Sequence, residues 1–266
     1  MTMNNFTSNT ETWKEWLEEE WNKDYMKEIL AKVNTVRKKT EVYPDHKDIL
    51  KAFKCPIDKL KVVIIGQDPY YQRGVADGLA FSTMQDKRPV TLMIAFKEIA
   101  NSIYDCNDPL CYSKLFPTND LTYWVEQGVF LFNAALTVQG GYPSSHVELW
   151  KPFTMKVVER IMEIRKPIVW MLWGRKAQNI IPDEEQDLFS VYRNPTHLYI
   201  SSCHPVAESR GTGTFLGTGV FKKTNDFLLK HYGEIIDWKT NKDNIDDAYH
   251  FTEIKNQAKD MPKLRK

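Results

Sequence analysis

Residues 61–82 read KVVIIGQDPYYQRGVADGLAFS, and this stretch decides the fold. Val62, Val63, Ile64 and Ile65 are four β-branched apolar residues in succession. Such a run reads as a strand buried on both faces, as in a parallel sheet. Gly66 ends it, and Gln67, Asp68, Pro69, Tyr70 and Tyr71 follow. In open α/β sheets, ligands sit outside the carboxyl ends of the strands. An acid, an amide and two aromatics placed there are site candidates, although Asp-Pro is also a common turn initiator.

The same arrangement recurs along the chain. Residues 129–136, VFLFNAAL, read as a second buried strand with Asn133 inside it. Residues 168–173 make a third, ended by Gly174 with Arg175 next, and 199–202 a fourth, followed by His204-Pro205. Helical spacing of apolar residues fills the intervals. It predicts a helix capped by Thr12 and running through Trp21, a second over 25–38, and a short one over 45–53. Val42-Tyr43-Pro44 reads as an extended link. Further helices are expected over 92–103, 121–127, 175–181 and 221–232, and a long one capped by Ser144 or Ser145 and reaching Arg165. Residues 105–119 read as a surface loop. Helices alternating with strands argue for an α/β fold, a parallel sheet covered on both faces. The expected organisation is a mobile 1–10, a single domain over 11–232, and a polar, peripheral extension over 233–266.

Composition narrows the class. The chain has 266 residues, 42% hydrophobic and 27% charged, an ordinary globular balance. The net charge of +1 gives no global basic excess, so any nucleic-acid surface has to be local. Cys106 and Cys111 have no second pair to complete a metal site, so the four cysteines read as free thiols in a reduced compartment. The N-terminus is not a signal peptide, and no apolar run approaches membrane-spanning length. The expectation is a soluble intracellular protein: cytoplasmic in a prokaryote or virus, with the nucleus open to it in a eukaryote.

Each strand thus delivers polar groups to one rim: Gln67 and Asp68, Asn133, Gly174 and Arg175, and His204. Taken singly, each has a bland reading. Asn133 alone would fill a local backbone gap, and His204 alone would be a hydrogen-bonded loop histidine. Together they favour a site, because a buried amide is costly without partners and a ligand would supply them.

At this point the sequence resembles the family 1 uracil-DNA glycosylases, from roughly Trp13 to Leu229. GQDPYY at 66–71 is similar to that family's water-activating GQDPYH. GLAFS at 78–82 matches its next segment, and LFNAALTV at 131–138 resembles LLNAVLTV. Ser145-His146 match the SH that follows, MLWGRKAQ at 171–178 resembles LLWGSYAQ, and CHPVAESRG at 203–211 is similar to the HPSPLS loop. The resemblance implies a central four-stranded parallel sheet flanked by helices on both faces, and a monomeric enzyme needing no metal or cofactor. It implies hydrolysis of the bond between uracil N1 and deoxyribose C1′ in DNA, single-stranded and duplex. Asp68 and His204 would be catalytic. Gln67, Tyr70, Phe81 and Asn133 would hold uracil. Pro89, Thr91, Gly174, Arg175, Ser209 and Arg210 would meet the DNA backbone.

The chain departs from the pattern in places. Tyr71 replaces a histidine, Arg175 replaces a phosphate-contacting serine, and Val206 replaces another. Glu208 stands where the family inserts a leucine wedge into the duplex, and Arg210 and Phe215 are the candidates to substitute for it. Two other readings stay open on the sequence alone. One is a catalytically weak DNA-binding or scaffold protein that kept the fold. The other is an enzyme for another modified pyrimidine or a free nucleoside.

Overall fold

The computed structural model describes residues 11–181 and 193–240; the expectation for 1–10 and most of that for 233–266 lie outside them. In chain order the elements are α1 (Glu11–Asn22), α2 (Asp24–Arg37), β1 (Val42–Tyr43), β2 (Val62–Gly66), α3 (Val90–Ile103), α4 (Pro109–Leu115) and α5 (Thr122–Glu126). There follow β3 (Val129–Asn133), β4 (Val138–Gln139), α6 (Val147–Met162), β5 (Val169–Trp173), α7 (Arg175–Gln178), β6 (Leu198–Ser202), α8 (Pro205–Ser209) and α9 (Val220–Tyr232).

β2, β3 and β5 are buried at every residue, as continuous apolar runs in a parallel sheet demand. The sheet is four-stranded, ordered β3-β2-β5-β6, and every pairing is parallel. Gly66 lies opposite Asn133 and Trp173 opposite Ser202, so neighbouring strands end level. Pairing between β2 and β5 runs only from Val62↔Val169 to Ile64↔Met171, and the last two residues of each strand stand outside it. The sheet therefore opens at its carboxyl edge where strand order reverses, the switch point at which such sheets bind ligands. On one face Trp13 stacks on Phe130 at 5.5 Å and donates its indole N–H to the Cys55 carbonyl at 2.9 Å, which docks α1.

Several local expectations are corrected. Residues 105–119 contain α4, because Asp108 accepts from the Leu110 and Cys111 amides, both at 2.9 Å, and Pro109 opens the helix. That turn brings Cys111 back to Cys106, and the two form a disulfide with a Cα–Cα separation of 6.0 Å rather than remaining free thiols. Residues 45–53 form two 3-10 turns, His46–Asp48 and Lys51–Lys54, not one helix. α6 begins after His146 rather than at a serine cap, and Ser144 is held at φ 66° for another purpose. Val42–Tyr43 pairs antiparallel with Val138–Gln139 as a small second sheet.

The expected domain limit at 232 also moves. Ile236 and Trp238 are fully buried. Trp238 meets Trp124 at 5.1 Å and Phe221 at 5.0 Å, and its indole N–H donates to Asn225 Oδ1 at 3.1 Å. Ile236 and Trp238, beyond that limit, thus belong to the core. Trp238→Ala should lower the unfolding free energy by about 3–5 kcal/mol. Urea denaturation measures this, and an unchanged midpoint would return the segment to the role of a peripheral tail.

Candidate active site

The rim is built around a missing side chain. A Cβ on Gly66 would lie 2.3 Å from Asn133 Oδ1, so only glycine lets the Asn133 amide occupy the position beside β2. Asn133 is 4% exposed, and its side-chain amide has no hydrogen-bond partner among the described residues. The little surface that Asn133 keeps includes this amide, which presents a donor and an acceptor side by side to a ligand at the rim.

Asp68 follows β2 on a loop fastened to the end of β3, where the Ala134 and Ala135 amides donate to the Gly66 and Gln67 carbonyls at 2.8 and 2.9 Å. Its Oδ2 accepts from the Ser144 amide at 2.6 Å. The left-handed Ser144 backbone is part of that turn, and its hydroxyl meets the Gln67 side chain. Burial raises the Asp68 carboxyl above its ordinary pKa, while the Ser144 N–H and the Lys176 charge oppose that rise.

The 77–82 segment supplies an aromatic wall. Phe81 adopts φ 69°, rare for a bulky side chain, and its ring lies 5.1 Å from Trp173 and 6.1 Å from the His204 ring. Tyr70 donates its hydroxyl to the Phe81 carbonyl at 2.8 Å, and burial holds its phenol well above the usual range. Asp77, which the sequence reading passed over, organises the segment. Its carboxylate accepts from the Leu79 amide at 3.1 Å, Ser82 Oγ at 2.6 Å and Lys51 Nζ at 3.0 Å. Its place directly before GLAFS was the available signal. Gly78 passes so close to Asp48 that an added Cβ would lie 2.0 Å from the carbonyl oxygen.

His204 reaches the rim from beyond β6. Gly174, at φ 83°, makes room for it: an added Cβ would stand 2.9 Å from His204 Cβ. His204 Nδ1 accepts from the Val206 amide at 3.2 Å. That bond requires a bare Nδ1, so the neutral ring carries its proton on Nε2. Burial, then the charges of Arg210 and Lys176, lower its pKa and favour this neutral form.

The residues expected to meet a DNA backbone are less uniform. Arg175, Ser209 and Arg210 are exposed at the rim, and Ser209 Oγ donates to the Val206 carbonyl at 2.9 Å. Pro89 precedes α3 and Thr91 lies in its first turn, but Thr91 is only 8% exposed, so its hydroxyl is not openly displayed. Phe215 is fully buried, 5.4 Å from Trp173, and is therefore no replacement wedge. Glu208 turns back on its own loop and accepts from the Phe215 and Leu216 amides at 2.6 and 3.0 Å. The buried Glu98 does the same for Gly217 and Gly219, at 2.6 and 2.7 Å. Two carboxylates thus tie the glycine-rich loop, a role the sequence did not reveal because all four partners are backbone amides.

Comparison with known proteins agrees with this architecture. The family model described as the uracil DNA glycosylase superfamily matches residues 53–229. Uracil-DNA glycosylase 1 of Listeria innocua is 38% identical over 237 residues, which cover 86% of this chain and 98% of that protein. The uracil-DNA glycosylase of Borreliella burgdorferi is 40% identical over 235 residues, 86% of this chain and 97% of its own. The crystal structure of mimivirus uracil-DNA glycosylase shares the fold with a TM-score of 0.69 over 85% of each chain, at 20% identity. A family match across most of the length, together with relatives aligned nearly end to end, places this chain in the uracil DNA glycosylase superfamily.

Proposed function

We propose that this protein is a monofunctional uracil-DNA glycosylase, which hydrolyses the N-glycosidic bond of deoxyuridine in DNA, releases free uracil and leaves an abasic site for base excision repair. The observation that carries the reading is the Asn133 amide, held on a nearly buried residue without a protein partner among the described residues, on the same rim as a carboxylate and a neutral histidine. A scaffold that merely kept the fold has no use for that unpaired group.

The chemistry follows from the charges that develop. As the N1–C1′ bond breaks, the sugar becomes cation-like and the base leaves as an anion. Asp68 stabilises the cation and orients the attacking water. His204 donates from Nε2 to uracil O2, where negative charge grows. Preorganised charge in a dry site is usually the largest catalytic contribution. Asn133 accepts from N3–H and donates to O4; cytosine presents the reverse pattern and leaves the amide mispaired. Gln67 contributes its backbone amide, Phe81 stacks on the base, and Tyr70 blocks the place of the thymine methyl. The nucleotide has to leave the stack to reach the pocket. Arg175, Ser209 and Arg210, with the Gly174 turn, line the path of the DNA backbone, and Pro89 and Thr91 border it. The protein acts as a monomer on single strands and, less readily, on duplex.

Asp68→Asn should lose most of the rate of uracil release and keep its fold. The sign for stability follows from the raised folded pKa. The native state holds the Asp68 proton more tightly than the unfolded chain, so ionisation at neutral pH destabilises it. Asp68→Asn should therefore unfold at the same or a higher temperature at pH 7. Wild-type kcat/KM should fall on the acid side from a higher pH than an ordinary aspartate would give, and a chelator should leave it unchanged. Full activity in Asp68→Asn would overturn the mechanism.

Base choice tests the pocket. Tyr70→Ala should admit some thymine, and Asn133→Asp some cytosine, each read as free base released from matched oligonucleotides. A good bidentate contact is worth about 1–3 kcal/mol of discrimination. Unchanged preference in both variants would mean that another pocket is used.

Glu208 bears on strand choice. With no apolar insert at that position, uracil should be released faster from single strands than from duplex, because unstacking and unpairing cost a few kcal/mol. Bonding to the two amides lowers the Glu208 pKa, so the tie is present above the ordinary glutamate range and lost as pH falls through the lowered value. Hydrogen exchange at Phe215 and Leu216 should accelerate in Glu208→Ala and much less in Glu208→Gln. Equal exchange in all three proteins would remove the loop-tying role.

A further inference from the structure

A cavity of about 580 Å³ opens between α6 and α7, beside the rim; of the residues assigned to uracil, Gln67 alone lines it. It shares Gln67 and Ser144 with the support of Asp68, yet Tyr70, Phe81, Asn133 and His204 do not line it. Its volume lies within the usual range of ligand sites. Val147, Met155 and Ile180 give it an apolar side, and Lys151 and Lys176 bring two cations to it. Both lysines are exposed. Lys176 has no ion-pair partner among the described residues. The one carboxylate in the lining, Glu148, lies 3.9 Å from Lys151 in an exposed pair, an interaction worth little in water.

We infer that this cavity receives a nucleotide adjacent to the excised uracil on the same DNA strand, with its base against Met155 and Ile180 and its phosphate near Lys151 and Lys176. The inference rests on the glycosylase reading above. A planar, largely apolar group carrying an anion is the ligand that an apolar wall with two exposed cations, one of them weakly paired to Glu148, complements. Continuity with the rim selects a strand neighbour over a separate small molecule. Once uracil is seated, the next nucleotide is held close by the backbone, and its binding becomes intramolecular.

The test uses short single-stranded oligonucleotides with one uracil, in which the base on the 5′ or the 3′ side is replaced by a tetrahydrofuran abasic analogue that keeps the phosphate. Wild-type kcat/KM should drop about fivefold or more when the base on one of the two sides is missing. Met155→Trp, which fills the cavity, should reduce that dependence to about twofold or less while still releasing uracil. Lys151→Ala should make the salt dependence of binding shallower by about one phosphate contact. Equal rates on all oligonucleotides in the wild type would overturn the assignment, as would an undiminished dependence in a folded Met155→Trp. If Met155→Trp does not fold, an unchanged salt slope in Lys151→Ala overturns it instead. Absence of uracil release from the fully based oligonucleotide is a different result, and it would overturn the glycosylase reading itself.

Discussion

The level ending of four parallel strands governs everything at the site. Because Gly66 faces Asn133 and Trp173 faces Ser202, loops of quite different sequence leave the sheet at one height. Two glycines then set the spacing. Gly66 clears the place of the Asn133 amide, and Gly174 clears the place of His204. Neither glycine touches the chemistry, and each is required by a contact distance that any larger residue would violate.

Around that geometry the electrostatics pull in opposed directions. Desolvation acts against charge on both Asp68 and His204. For the histidine this suits the proposed mechanism, in which the neutral ring donates. For the aspartate it works against the carboxylate that the proposed mechanism uses, and the Ser144 amide and Lys176 counter it. The same burial that makes a carboxylate effective toward a sugar cation thus needs a specific local counterweight.

What the sequence disclosed follows from range. Runs such as Val62–Gly66 and Val169–Trp173 carry their burial in local composition, so the sheet and the rim residues were legible. The resemblance then assigned Asp68, Asn133 and His204 their roles. Contacts between distant segments were not legible. The Asp77 carboxylate joins Lys51 to Ser82, and Ser144 serves Asp68 from 76 residues away. Polar composition hid α4, although Asp108-Pro109 is a sound helix start. The polarity of 233–266 likewise masked two buried side chains, Ile236 and Trp238. Glu208 read as an unsuitable wedge because a carboxylate does not stack between bases, and its tie to two backbone amides left no mark in the sequence.

The buried Trp238 has a consequence for synthesis. The apolar faces of α5 and α9 around Trp124 and Phe221 close only when this late segment arrives. On a ribosome, the four strands and their polar loops emerge first, while that side of the core still lacks its cover. A nascent chain paused before Trp238 exposes aromatic surface, and such surface invites association with other chains or capture by chaperones. In the order of synthesis, the side chain that covers Trp124 and Phe221 comes after every strand and every rim residue.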